Sequence, residues 1–113
     1  MHILRTAILA ACFLSFAAHA APVPVPAEKM AYVGDWQGKD MRLQLAKDGK
    51  VKYKHDQPGK KLDLSVDLQG FNGDNFDVGV MLVRSTFVVT KPPHREGDKW
   101  KMTVDGVELT RVN

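Results

Sequence analysis

The 113-residue sequence predicts an all-β fold: a small antiparallel meander of about eight short strands, closing into a barrel or a barrel-like sandwich. Three observations carry this expectation. From Tyr32 onward, apolar and polar residues alternate with a period of two, as in half-buried strands. Turn residues recur between the alternating runs and include Asp48-Gly49 and Asp105-Gly106, dipeptides typical of hairpins. No segment of the expected domain has apolar residues at helical spacing.

Ahead of the domain, residues 1–20 read as a secretory leader. Arg5 gives the positive start, 7–18 is an apolar run broken by Ser15, and Ala18-His19-Ala20 fits a small-x-small cleavage site. The cut is expected before Ala21. The run is shorter than the about 20 residues a membrane-spanning helix needs. Leu9-Ala10-Ala11-Cys12 resembles a lipoprotein acylation motif. Only about six residues separate Arg5 from Cys12, whereas the apolar region usually has about 7–15. Lipidation at Cys12 is therefore the less favoured reading, and the expected location is periplasmic or secreted. Residues 21–29 form an expected tether, extended by Pro22, Pro24 and Pro26. The β domain is expected over 30–113.

The strands are expected at 33–38, 41–46, 50–55, 62–69, 75–80, 82–90, 99–104 and 107–112. A two-residue turn at Asp105-Gly106 pairs Val104 with Val107 and Met102 with Leu109, and Thr103 with Glu108 and Lys101 with Thr110. Apolar then meets apolar on one face and polar meets polar on the other. The same turn at Asp48-Gly49 puts Leu45 against Lys52. A three-residue loop, Lys47-Asp48-Gly49, with Gly49 left-handed, instead pairs Leu45 with Val51 and Leu43 with Tyr53. It also sets Gln44 and Arg42 against Lys52 and Lys54. Leu62, Leu64, Val66 and Leu68 alternate with polar residues, as in a half-buried strand. Val83, Ser85, Phe87 and Val89 share an expected inward face. Lys91-Pro92-Pro93 ends that strand, and His94 to Asp98 form a polar loop.

Extending the last hairpin by one step places Trp100 opposite Arg111, where a ring face suits the cation. If the meander closes, Trp36 of the first strand becomes a neighbour of Arg111. Gly34-x-Trp36 on a first strand, an antiparallel meander and a last-strand arginine resemble the calycin group. That group includes lipocalins, avidins and small periplasmic inhibitors of metalloproteases. The resemblance implies a structural role for Trp36 and Arg111, with Gly34 allowing close backbone approach. Gly49 and Gly106 are structural on the turn argument. An eight-stranded barrel is just wide enough for side chains or one small ligand. The bulky inward set predicts a filled core.

Catalytic chemistry finds little support. Beyond the leader there is no cysteine, and the serines and histidines are Ser65, Ser85, His55 and His94. Nothing places a serine within hydrogen-bond reach of a histidine. Asp63 and Asp67 are roughly 13 Å apart along a strand, beyond the about 5–9.5 Å of glycosidase pairs. His94, Glu96 and Asp98 share one loop, and His55-Asp56 lies elsewhere, without a recognised zinc spacing. No metal or cofactor is expected. Removing Arg5 lowers the formal charge from +3 to +2, too small a balance to indicate nucleic acid.

Lys50, Lys52 and Lys54 form a stripe with Arg42 across from Lys54, facing either an anionic envelope surface or an envelope protein. Asp63 and Asp67 on the next strand partly neutralise it. The expectation is a non-catalytic binding module of the bacterial cell envelope. The alternatives are an inhibitor of an exported hydrolase that inserts 21–29, or a small apolar-ligand carrier using Trp36, Tyr53 and Trp100. The oligomeric state is left open.

Overall fold

The computed structural model describes residues 22–80 and 82–112. The expected leader, its cleavage site and Cys12 lie outside the described residues. Among the described residues, nine strands follow one 3-10 helix at Ala27–Tyr32. They are β1 (Gly34–Gly38), β2 (Met41–Leu45), β3 (Lys50–Gln57), β4 (Lys60–Asn72), β5 (Asn75–Val80), β6 (Val83–Phe87), β7 (Val89–Glu96), β8 (Lys99–Val104) and β9 (Val107–Arg111). All pairings are antiparallel. The order β6-β5-β4-β3-β2-β1-β9-β8-β7 makes one meander sheet that curls into a half-barrel.

Both hairpin registers follow from the side-chain alternation. Asp105 and Gly106 take φ of 48° and 81°, and the four predicted β8–β9 pairs all occur. Around Lys47-Asp48-Gly49, Leu45 faces Val51 and Leu43 faces Tyr53. Gly49 has φ of 95°, and a Cβ there would run into the carbonyl of Val23. Glycine is thus required twice over, by the turn and by the N-terminal segment lying across it.

That segment is extended at Pro22–Pro26 but is not a free tether. Val23 N–H donates to Leu68 O (2.9 Å), Val25 N–H donates to Lys47 O (3.0 Å), and the Val25 side chain is buried. Its last expected residues, 27–29, belong to the 3-10 helix instead. That helix places Tyr32 in the core, edge-on to Phe71 at 5.0 Å and to Phe76 at 6.1 Å. The Tyr32 hydroxyl donates to Asp74 O (2.8 Å), and Trp36 Nε1 donates to Tyr32 O (2.9 Å). Burial pushes the Tyr32 phenol up to about 12, so it stays a donor.

Two expectations need correction. The strand expected at 82–90 divides at Val88. Val88 N–H donates to Asp105 Oδ1 (2.9 Å), and Asp105 N–H donates back to Val88 O (2.8 Å). Val89 N–H goes to Asn75 Oδ1 (2.8 Å). The chain thus pairs with β5 before Val88 and with β8 after it. Secondly, the prolines do not end the strand. β7 continues through Pro92 and Pro93 to Glu96, with His94, Arg95 and Glu96 opposite Lys101, Trp100 and Lys99. This is tolerated because β7 is an edge strand and both prolines fall in the register shift between Lys91 and His94, where neither is paired with β8. His94–Asp98 is therefore a strand end and a turn, not a loop.

One cluster holds the core, with Trp36, Leu43, Leu68, Phe76, Met102, Val104 and Leu109 fully buried. Burial varies sharply along β4: Leu68 is 0% exposed, whereas Leu64 on the same face is 41% exposed. Val83, expected inward, is 68% exposed. Urea unfolding of Leu68→Ala should show a loss of about 2–5 kcal/mol. Leu64→Ala should cost about 0.5 kcal/mol or less. Equal losses would contradict the burial gradient.

Candidate functional site

Three places on the half-barrel bring the expected residues together. The first is the seam where β1 meets β9. Trp36 and Arg111 are register partners. The Arg111 guanidinium lies 5.8 Å from the Trp36 ring centroid and 5.1 Å from that of Trp100. Trp36 is fully buried and Trp100 half-buried, so one cation sits against two rings at the sheet's closing seam. Gly34 opens β1 with φ of 147°, a conformation that favours glycine.

The second is the outer face of β2, β3 and β4. Arg42 grips Asp35 with two hydrogen bonds, Nε at 3.1 Å and Nη2 at 2.7 Å, and Gln44 adds a third at 3.3 Å. The Arg42 hydrogen bond holds the Asp35 carboxyl below the usual carboxylate range. Lys54 lies 3.9 Å from Asp63, and Lys50 and Lys52 stand in register with Asp67 and Ser65. These residues frame a shallow depression of about 280 Å³ lined by Arg42, Gln44, Lys52, Lys54, Asp63 and Ser65. The meander thus sets acids beside the cations, and opposite charges across strands neutralise much of the stripe.

The third is an apolar groove of about 380 Å³ on the concave side. Leu62, Leu64 and Val66 form one wall, Val78, Val80 and Val83 another, and Phe87 and Tyr53 the floor. Tyr53 meets Phe87 edge-on at 5.0 Å, and its hydroxyl is 3.0 Å from His55 Nδ1. Burial, with the Asp105 charge next, raises the Tyr53 phenol. Ser85 and Asp105 supply polar points on the lining, and Arg84 borders it from β6 with its side chain alternating to the outer face. Of the three aromatics expected to hold a ligand, only Tyr53 lies here. The groove was missed in the sequence because Leu62, Leu64 and Val66 continue the alternation of Leu68 without any sign that they are left uncovered.

The polar clusters weighed for catalysis stay apart or are engaged. Ser85 lines the groove on β6. His94 on β7 bonds Pro92 O (2.9 Å) and Glu96 Oε2 (2.7 Å). Asp63 faces Lys54 and Asp67 faces Lys50. Among the described residues no three His, Cys, Asp or Glu side chains are grouped to hold a metal ion. No described helix is long and apolar enough to cross a membrane. Comparison with protein-family models, curated proteins and solved structures finds no match. The fold and site together define an all-β half-barrel with an apolar groove on its concave side and a paired-charge outer face.

Two expectations follow. Arg111→Lys keeps the charge but loses the planar stack. It should cost about 0.5–2 kcal/mol in urea unfolding followed by tryptophan emission. His94 is raised above 6.5 by the Pro92 carbonyl and by Glu96, whose own carboxyl is lowered below 4.5 mainly by His94. The His94 contribution to stability is full below pH 6.5 and fades as pH rises through the raised value. That of Glu96 is full above pH 4.5 and fades as pH falls through its lowered value. Glu96→Gln should lower the His94 pKa in an NMR titration; an unchanged value would break the assignment.

Proposed function

We infer that this chain is an exported, non-catalytic binding module of the bacterial cell envelope, and that its groove takes a small apolar ligand. The observation that carries this reading is the groove itself. Its volume, about 380 Å³, falls within the about 300–1,000 Å³ of small-molecule sites. Such sites join an apolar lining to a few polar groups. Here Leu62, Leu64, Val66, Val80, Val83 and Phe87 provide the apolar part, and Tyr53, Ser85 and Asp105 the polar part. The location rests on the leader-like residues 1–20.

The other readings have less behind them. An inhibitor that inserts residues 21–29 needs a free arm. Here Val23 and Val25 are hydrogen-bonded to Leu68 and Lys47 of the same chain. Contact through the cationic stripe needs unpaired charge, and Arg42 and Lys54 already face Asp35 and Asp63. The likeness to calycins is part of the proposal, supported by Gly34-x-Trp36 and the Arg111 stack on Trp36.

The test is titration with N-phenyl-1-naphthylamine, an apolar dye whose emission rises out of water. Wild type should give a saturable rise. Leu64→Glu should weaken binding about tenfold or more, because the dye must then meet a charge. Lys52→Glu, on the outer face, should bind as wild type does. No saturable rise, or equal binding by Leu64→Glu, would overturn the groove as the site.

A further inference from the structure

Among the described residues the half-barrel has two free strand edges, β6 and β7. They are not equivalent. β7 carries Pro92, Pro93, Lys91 and two register shifts. Prolines, lysines and bulges are the features that blunt an edge against pairing. β6, Val83-Arg84-Ser85-Thr86-Phe87, has no proline and pairs with β5 without a break. Exposed apolar residues gather around it. Leu82 is 97% exposed, Val83 68%, and Val80 and Val88 45% each.

The hairpin fixes which backbone groups of β6 are free. Val80 and Val83 are the last register partners of the hairpin, and at its other end Val88 sends its N–H and C=O to Asp105, away from β5. By alternation Val83, Ser85 and Phe87 direct their N–H and C=O groups at β5. Arg84 and Thr86 direct theirs outward. Beyond them Val88 has its N–H and C=O bound to Asp105. The open edge is therefore the stretch from Leu82 to Thr86.

We propose that β6 pairs antiparallel with β6 of a second copy, about a twofold axis at Ser85. In this register Arg84 lies opposite Thr86 of the copy, and the outward groups of both form ladder bonds. On the concave face Val83 meets Phe87. On the outer face Thr86 Oγ1 donates to Asp77 Oδ1 at 2.7 Å, so the copy sets that carboxylate beside its own Thr86. Two strand spacings, about 9.6 Å, separate Arg84 from that Asp77 at the backbone, within reach of the long arginine side chain. The charges match, and twofold symmetry makes the match twice.

Neighbouring registers lack this match. An axis at Arg84 puts like charges opposite each other, which is unfavourable. An axis at Thr86 pairs Arg84 with Val88, whose backbone groups are already bound. β6 also lines the groove through Val83, Ser85 and Phe87, so the two proposals share residues and are told apart by their readouts.

Sedimentation of the purified chain over a range of concentrations tests this. A reversible dimer is expected. Thr86→Pro removes an outward N–H without touching the β5 ladder, and should give a monomer with unchanged far-UV circular dichroism. Arg84→Glu should weaken the dimer about tenfold or more, and adding Asp77→Arg should restore it. A wild type that stays monomeric overturns the proposal, and so does a dimer that Thr86→Pro leaves intact. A monomer that co-sediments with phosphatidylglycerol vesicles also overturns it, assigning the apolar edge to a membrane surface. Dye binding and mass are separate readouts, so either proposal can fail alone.

Discussion

The bend at Val88 is the constraint on which the rest depends. β6 and β7 are the two ends of the sheet order, yet they are consecutive in the chain. Curling the meander is what lets one strand serve both ends. The bend survives because its backbone groups are satisfied without a neighbouring strand. Asp105 takes the N–H and returns its own N–H to the carbonyl of Val88, and Asn75 takes the N–H of Val89. A backbone group left unpaired in such a corner would cost about as much as a lost hydrogen bond. The two-residue turn with Gly106 gives Asp105 its positive φ. Asp is among the residues that tolerate that conformation, and the same side chain reaches Val88.

The junction between β1 and β9 adds side chains to the strand pairing. The register pairs Trp36 with Arg111, and Trp100 covers the guanidinium from β8. Beside it, Tyr32 of the 3-10 helix packs on Phe71 and Phe76 and accepts from the indole of Trp36. The N-terminal segment is thus part of the core, not an appendage. This matters for a domain without cysteine beyond the expected leader. A domain of this size has a small core, and each added buried residue counts.

Much of this was legible because β side chains alternate. At Asp105-Gly106 and at Lys47–Gly49, one choice of turn keeps the faces consistent and a one-residue slip reverses every face. The registers follow from that. The Trp36–Arg111 neighbourhood follows from closing the meander. The bend at Val88 was not legible, because Phe87-Val88-Val89 is a continuous strand-forming run whose break comes from Asp105 and Asn75, distant in sequence. The continuation of β7 through Pro92-Pro93 was not legible either. Proline stops a central strand but not an edge, and edge position is a property of the whole sheet. The groove escaped for a related reason. Alternation says which face a residue takes; it does not say whether anything covers that face.

That distinction bears on how the molecule can act. Several of its polar side chains are engaged with one another, as in Arg42 with Asp35, His94 with Glu96 and Thr86 with Asp77. Its uncovered apolar surface is not scattered. Leu64, Val80, Leu82 and Val83 are all exposed, and they border one groove and one strand edge. Single exposed apolar residues need no explanation, but a contiguous set in a concave place does. The bend at Val88 produces both features together. It leaves β6 without a partner on its outer side while β5 and β4 curl behind it. A fully closed barrel of these strands would have neither the groove nor the edge, so both proposals rest on the incomplete closure itself.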